Sequence, residues 1–415
     1  MEILKEIILK LYDKEKIKEI LKEGLEDIND IDLEEGDELV LEGLSIESED
    51  IGFRLSPKAI SQLPRLMPSA PAEEVEIEEY EPALKEWENQ IQEVPMGATS
   101  SDGGTRKKVV KLGGEKCMPF YPDDDNPNMP IVTFDTFDSK IHLPGVISKH
   151  YEDVMGSPGE WAKKSVEEYG AKMVTIHLTS TDPKGADTPP KEATKSVEEV
   201  LEAVDVPLVI GGSGNPDKDP AVLEAAAEAA EGERCLLASA TLDLDWERIA
   251  DAAMEYNHNV LAWTTIDINL QKELDRKLMN YGVDRDRIVM DPTTAALGYG
   301  IEYSYSIMQR IRMAGLEGDE ELDFPISNGV TNAWGAREAW MGSEVPKEKY
   351  GEDWGPREFR GPLWEVFVGL SMMLSGSDLL MGLHPRAIKV CNKMVNRLSR
   401  EVEGLSNFQD WVTAY

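Results

Sequence analysis

Short apolar runs recur along the last two thirds of the chain, each ending in small or polar residues and most leading into a helix-periodic segment. MPIVTFD (129–135), MVTIHL (173–178), PLVIGG (207–212), CLLASA (235–240), NVLAWT (259–264), RIVMDP (287–292), FPISNG (324–329) and DLLMGL (378–383) make eight. The intervening helices are one-sided. In NLQKELDRKLMNYG, Leu270, Leu274 and Leu278 recur every four residues, Asn269 is the expected N-cap and Gly282 marks the end. DPAVLEAAAEAA (219–230) opens on Asp219 as expected N-cap with Pro220 behind it. Apolar strands alternating with one-sided helices indicate a parallel sheet covered by helices. Eight such units predict an α/β fold, a closed (β/α)8 TIM barrel, whose chemistry stands at the C-terminal strand ends. An open doubly wound sheet is the competing topology. No G-x-G-x-x-G follows the first strand, which counts against a Rossmann fold.

Upstream of the barrel the pattern changes. Residues 1–24 read as an amphipathic helix, with Ile3, Leu4, Ile7, Ile8 and Leu11 at helical spacing. ELVLEGL (38–44) and IGFRL (51–55) read as strands, so 1–67 is expected to form a small α+β unit. Residues 68–104 carry Pro, Ala, a dense acidic run and GATSSDGG, which predicts an acidic flexible linker. A short helix over 82–92, anchored by Leu84, Trp87 and Ile91, is the alternative for part of that stretch. The barrel unit is expected over 105–415, with RKKVVKLGG (106–114) as a strand and turn that plugs or flanks its bottom.

Composition narrows the function. Lys and Arg number 43 against 80 Asp and Glu, a net charge of −37, which disfavours nucleic acid and anionic membrane surfaces as partners. No run approaches the roughly 18 to 20 apolar residues that cross a bilayer, and the first helix is too charged for a signal peptide. A cytoplasmic location is expected. The three cysteines, Cys117, Cys235 and Cys391, imply no disulfide framework and cannot supply the four thiolates usual for a [4Fe–4S] cluster.

The predicted strand ends offer Asp135, His177, the GGSGN turn (211–215), Ser239, Thr264, Thr265, Asp267, Asp291, Asn328 and His384. No lysine sits there for a Schiff base. With five histidines and no H-x-H after the first strand, a binuclear metallohydrolase is disfavoured. Ser239 has no identifiable base, and Asp135 and Asp291 are well separated in barrel order. Such a face suits holding a large polar ligand. Gly212 and Asn215 belong to a turn that either meets a ligand with its backbone or leads into the Asp219 cap. Asp291 either accepts from a ligand ring N–H or caps its own loop. His177 either faces the ligand or is a satisfied core histidine. NGVTNAWGAREAWM (328–341) places Asn328, Thr331, Asn332 and Trp334 where a flat heterocycle or a protein interface would fit. His384 is expected to cap or pack before the last helix.

GGSGNPDKDP, LDWERIADAAMEYNHNVLAWTTIDINLQKEL, DRIVMDPTTAALGYGIEYS and PISNGVTNAWGAREAW resemble the delta-subunit family of archaeal acetyl-CoA decarbonylase/synthase complexes, the counterpart of the small subunit of bacterial corrinoid iron–sulfur proteins. The likeness spans about 105 to 400. It implies a TIM barrel related to pterin-dependent methyltransferases, paired with a gamma (large) subunit that carries the cluster and most of a corrinoid (cobamide) site. It implies that the barrel covers the other face of the corrinoid, so the cofactor is shared and no iron–sulfur cluster sits on this chain. The pair would carry a methyl group between a tetrahydropterin and a nickel centre in acetyl-CoA cleavage or synthesis, and the delta chain would help hold the other subunits together. His177, Gly212, Asn215, Thr264, Asp291, Asn328, Thr331, Asn332 and Trp334 are the expected cofactor contacts; no catalytic or metal-ligating residue is expected. Changing Trp334 or Asn328 to Ala should weaken corrinoid retention. The alternative is a free-standing pterin-dependent corrinoid methyltransferase gripping pterin with Asp291, Asn215 and Asn328.

Overall fold

The computed structural model describes residues 85–120, 126–342, 344, 348, 349 and 354–399, all within one compact unit, Pro82–Glu403. The expected unit over 1–67, with its helix and two strands, lies outside the described residues, as does most of the expected linker.

The part of that linker that is described does not behave as one. Val94–Met96 (β1) pairs antiparallel with Val110–Leu112 (β2), and Ile91, Val94 and Met96 are fully buried. The helix expected over 82–92 is absent from 85–92; that backbone instead donates from Asn89 to Leu316 O, from Ile91 to Glu115 O and from Gln92 to Asp323 O. Composition misled here because an apolar side chain on every second or third position is enough to dock a short ribbon inside an acidic stretch.

Eight parallel strands follow: β3 (Ile131–Phe137), β4 (Val174–His177), β5 (Leu208–Gly211), β6 (Leu236–Ala240), β7 (Asn259–Trp263), β8 (Ile288–Asp291), β9 (Ser327–Gly329) and β10 (Leu379–Gly382). They are hydrogen-bonded in the order β8-β7-β6-β5-β4-β3-β10-β9, and a parallel bridge from Met290 to Ile326 joins β8 to β9 and closes the barrel. Every one falls within or beside a run expected from the sequence. The helices are α1 (Gly145–Ser148), α2 (Pro158–Glu167), α3 (Pro190–Ala203), α4 (Asp219–Ala229), α5 (Trp246–Glu255), α6 (Ile268–Tyr281), α7 (Ile301–Leu316), α8 (Arg337–Trp340), α9 (Arg357–Ser375) and α10 (Pro385–Leu398).

Strand alternation splits the core in two. Val132, Phe134, Val174, Ile176, Leu208, Ile210, Val260, Ala262, Ile288, Met290, Ile326 and Leu380 point outward into the helix layer. Val209, Leu236, Leu261, Val289, Leu379 and Met381 point inward and pack with Val94, Met96 and Leu112 of the hairpin. The hairpin enters at the N-terminal strand ends: Asn259, first residue of β7, donates to Pro95 O at 2.9 Å, and Gly97 N donates to Arg234 O. It is pinned there by buried Arg106, whose Nε meets Glu233 at 2.8 Å. The bottom of the barrel is therefore stoppered, and the C-terminal mouth is the end left for chemistry.

Two caps differ from expectation. Asp267, not Asn269, caps α6, accepting from Asn269 N at 2.7 Å and Leu270 N at 3.2 Å. Asp219 is the first residue of α4, and its carboxylate turns back to the preceding loop. Gly282 ends α6 at φ 118°, the left-handed geometry glycine supplies, and His384 caps α10, its Nδ1 accepting from Arg386 N at 3.2 Å.

Candidate functional site

The mouth is built from the last inward-pointing residue of each strand and the loop after it. On β3 the inward set is Thr133, Asp135 and Phe137; on β4 it is Thr175 and His177, because Val132, Phe134, Val174 and Ile176 face the helices. Thr133 and Thr175 meet hydroxyl to hydroxyl at 3.1 Å inside the barrel. Above them Asp135 Oδ1 lies 3.3 Å from His177 Nε2. Asp135 is 1% exposed, and that oxygen has no well-aligned hydrogen-bond donor in the structure. The His177 ring stacks on Phe137 at 5.1 Å and keeps about a quarter of its surface exposed, 26%. Its Nδ1 stands beside Gly211, where an added Cβ would lie 3.0 Å away. The neighbouring loop is closed by Asp138, which accepts from Ser180 N at 2.8 Å and from the hydroxyls of Thr179 and Ser180.

The opposite side is formed by β7, β8 and β9. Trp263 pairs in register with Asp291, so both side chains leave the sheet on the inner face; the indole is half-buried. Asp291 Oδ1 accepts from Thr293 N at 2.9 Å, and burial pushes the carboxyl up to about 7. Thr293 sits at φ 71°, a costly backbone for a β-branched residue, and its hydroxyl donates to Thr264 O at 2.6 Å. These bonds tie the β7 and β8 loops together. Asn332 reaches across from the turn after β9, its Nδ2 donating to Thr294 O at 2.9 Å, and Thr331 beside it is half-buried.

The residues expected from the sequence thus separate. His177, Asp291, Thr331 and Asn332 stand at strand ends or loops of the mouth. Asn215 lies in the β5 loop, where its Oδ1 accepts from Asp217 N and Lys218 N, both at 3.1 Å. Gly212 serves the Asp219 carboxylate: a Cβ there would fall 2.4 Å from Asp219 Cγ, and Asp219 accepts from Ser213 N at 3.0 Å and Gly214 N at 2.7 Å. Thr264 turns to the helix layer, donating to Gln271 Oε1 at 2.8 Å. Asn328 also points outward: it is fully buried and its Nδ2 contacts Met308 Sδ at 3.4 Å on α7. Trp334 is 8% exposed, stacks on His384 at 5.9 Å and donates from Nε1 to Glu365 at 2.7 Å. In this structure Asn328 spends its side chain on the helix layer and Trp334 on Glu365 and His384, away from the mouth.

Trp263 and Glu365 are not among the residues expected from the sequence. Glu365 lies on α9, accepts from Leu383 N at 2.6 Å, His384 N at 3.2 Å and Trp334, and burial pushes it up to about 7. Its signal was legible, a single carboxylate inside the apolar WEVFVGL run. Trp263 carried no such mark, being one more large residue in an apolar strand.

Among the described residues no group of three or more His, Cys, Asp or Glu is arranged to hold a metal, and none of the helices is long and apolar enough to cross a membrane. Cys235 and Cys391 are buried thiols pushed up to about 12.

Residues 93–354 match the family model described as CO dehydrogenase/acetyl-CoA synthase delta subunit. The acetyl-CoA decarbonylase/synthase complex subunit delta of Methanosarcina mazei is 60% identical over 316 residues, covering 76% of this chain and 72% of that protein. The subunit delta of Archaeoglobus fulgidus is 50% identical, with 88% and 83% covered, and that of Methanocaldococcus jannaschii 52%, with 81% and 82%. Among solved structures, a dihydropteroate synthase of Xanthomonas albilineans with 4-aminobenzoic acid superposes at a TM-score of 0.44 with 18% identity, covering 66% of this chain and 94% of that one. A superposition that loose carries no argument about ligands. The sequence matches show the family: the chain belongs to the CO dehydrogenase/acetyl-CoA synthase delta subunit family, as a component of the acetyl-CoA decarbonylase/synthase complex.

Proposed function

We propose that the barrel mouth is one half of a shared methyl-carrier site. In this reading the chain pairs with a gamma (large) subunit, covers the exposed face of a corrinoid that the partner holds, and receives a tetrahydropterin as methyl donor or acceptor. The observation that carries it is 60% identity to a protein named as subunit delta of the acetyl-CoA decarbonylase/synthase complex.

The mouth chemistry supports the assignment. A corrinoid is a broad macrocycle ringed with amides, which require donors and acceptors in equal measure and a flat apolar contact. Asn215, Thr331, Asn332 and the half-buried indole of Trp263 are of that kind. Asp291, with a carboxyl pushed up to about 7, offers an acceptor when ionised and a donor when neutral. The corrinoid supplies the methyl transfer itself when bound; this chain excludes water, orients the ring and shapes the approach of the second ligand. Helping to hold the other complex subunits belongs to the same reading, as does a cytoplasmic location.

The alternative, a free-standing methyltransferase gripping pterin with Asp291, Asn215 and Asn328, loses one of its three grips, since Asn328 faces α7. Purifying the chain alone and assaying methyl transfer from a methyl-tetrahydropterin to free cob(I)alamin separates the two. The proposal predicts no turnover above background without a gamma subunit; robust turnover by the isolated chain would overturn it.

A further inference from the structure

We infer that Asp135 and His177 form a proton-transfer dyad at the mouth, with His177 Nδ1 exchanging a proton with the ring nitrogen of an N-methylated heterocyclic amine and Asp135 as its positioning residue. This rests on the proposed methyl-transfer reading.

Four features of the geometry lead there. First, the pair is the only close approach of a histidine to a carboxylate at strand ends among the described residues, Nε2 to Oδ1 at 3.3 Å. Second, Asp135 is 1% exposed and its Oδ1 has no hydrogen-bond partner, so a buried acceptor is left unsatisfied with the imidazole Nε2 3.3 Å away. An unpaired buried acceptor of this kind costs about 1–3 kcal/mol unless a donor is supplied. The donor available is Nε2–H, which fixes the tautomer and leaves Nδ1 on the other edge of the ring. Third, the ring cannot swing freely: it stacks on Phe137 at 5.1 Å with the planes 21° apart. Fourth, Nδ1 stands over Gly211, the last inward residue of β5, and a single added Cβ there would lie 3.0 Å from it. Glycine at this place leaves open the space beside Nδ1 where a ligand atom would lie. Its backbone is not in the left-handed region, so conformation does not demand glycine there.

Several titratable groups lie near the dyad. Asp138 of the β3 loop is held by Thr179 and Ser180, and Asp219 of α4 lies under the Gly212 turn. Glu365 of α9 feels Asp135 from the β10 side, as does the hydroxyl of Tyr151.

The chemistry balances. When a methyl group leaves a tertiary ring amine for a cobalt(I) corrinoid nucleophile, the C–N bond breaks and its electron pair stays on nitrogen. That amide-like anion is a poor leaving group unless the nitrogen gains a proton in the same process. His177 gives its Nδ1 proton to the nitrogen, Asp135 steadies the ring through Nε2–H, and water at the mouth returns the proton. In the reverse direction the neutral imidazole removes the proton from the amine N–H as the methyl arrives.

The test uses two independent readouts. Selective ¹⁵N-imidazole labelling of the full chain, with the His177→Gln variant to assign the signal, reports the tautomer without any ligand. The Nε2–H form is expected, and Asp135→Asn should shift it toward a mixture; an Nδ1–H ring indifferent to Asp135→Asn would overturn the dyad. In the corrinoid-loaded complex with the gamma subunit, single-turnover methyl transfer from a methyl-tetrahydropterin should fall on the order of 10²–10⁴-fold in His177→Gln and roughly 10- to 100-fold in Asp135→Asn. The wild-type rate should carry a limb that declines as imidazolium is lost, and the limb should be missing from His177→Gln. Gly211→Ala should slow transfer while leaving the tautomer unchanged. A His177→Gln rate within twofold of wild type, with the same pH profile, would also overturn the dyad. If the wild-type complex holds no corrinoid or takes no methyl group, the proposed function fails instead, and the tautomer measurement still decides the dyad.

Discussion

Asp291 and Glu365 are two carboxyls that the barrel buries at the ends of neighbouring layers, and each is pushed up to about 7 by the same cause, loss of water. They differ in compensation. Glu365 accepts from Trp334 and two backbone N–H groups, whereas Asp291 accepts from Thr293 N alone. A carboxyl raised on folding binds its proton more tightly in the native state than in the unfolded one. Its contribution to stability is therefore full at low pH and is lost as pH rises through the folded value. Asp291→Asn keeps the acceptor for Thr293 N but removes the charge. Urea unfolding of the two proteins should agree near pH 4, and the variant should become the more stable above pH 7, by at most roughly 4 kcal/mol. A gap independent of pH would mean that Asp291 is not buried as charged cargo. Trp334→Phe leaves the ring but withdraws the N–H from Glu365. It should cost about 1–3 kcal/mol of stability, read by thermal unfolding, with no change in corrinoid retention by the complex.

At the scale of elements, the strands were legible and their faces were not. Buried parallel strands are apolar on both sides, so hydrophobicity marks where a strand lies without marking which residues point into the barrel. Asn328 shows the consequence. It follows Ile326 by two positions, so it shares the outward face of Ile326 and sinks against Met308 on α7. Thr264 sits one place past the inward Trp263 and spends its hydroxyl on Gln271. Parity counted from one firmly assigned residue would have excluded Asn328, but no residue of FPISNG is assigned by composition alone. Trp334 is ambiguous for another reason: a tryptophan in a long loop reads equally as a ligand platform or as the loop's own core, and the seat of Gly361 of α9 against it supports the second. A Cβ at Gly361 would strike the indole at 2.1 Å, so glycine lets α9 seat directly on Trp334. The bottom hairpin was half legible, as β2 but not β1. Met96 is fully buried among inward-facing barrel residues, so Met96→Ala should destabilise the barrel by about 2–5 kcal/mol in denaturant melts. A loss under 1 kcal/mol would show that the plug contributes little.

For the whole molecule, the stoppered bottom and the polar mouth give the barrel one working end. The family match begins at residue 93, the residue before β1, so the plug is part of the shared barrel unit rather than an accessory. The net charge of −37 sets a further condition on assembly: a partner that docks at the mouth must either be basic there or meet a locally neutral patch. The mouth residues Trp263, Thr293, Thr331 and Asn332 are neutral, which suits a partner presenting an uncharged macrocycle edge. The central claim is that this mouth covers a corrinoid held by a gamma subunit. It is tested most directly by titrating the chain into purified, corrinoid-loaded gamma subunit and following both the corrinoid absorbance and complex mass. The account predicts a 1:1 complex whose formation shifts the corrinoid spectrum, with the shift weakened about tenfold or more in affinity by Trp263→Ala and unaffected by Lys277→Ala on the outer face of α6. A complex that forms with no spectral change, or that binds Trp263→Ala as tightly as wild type, would contradict it.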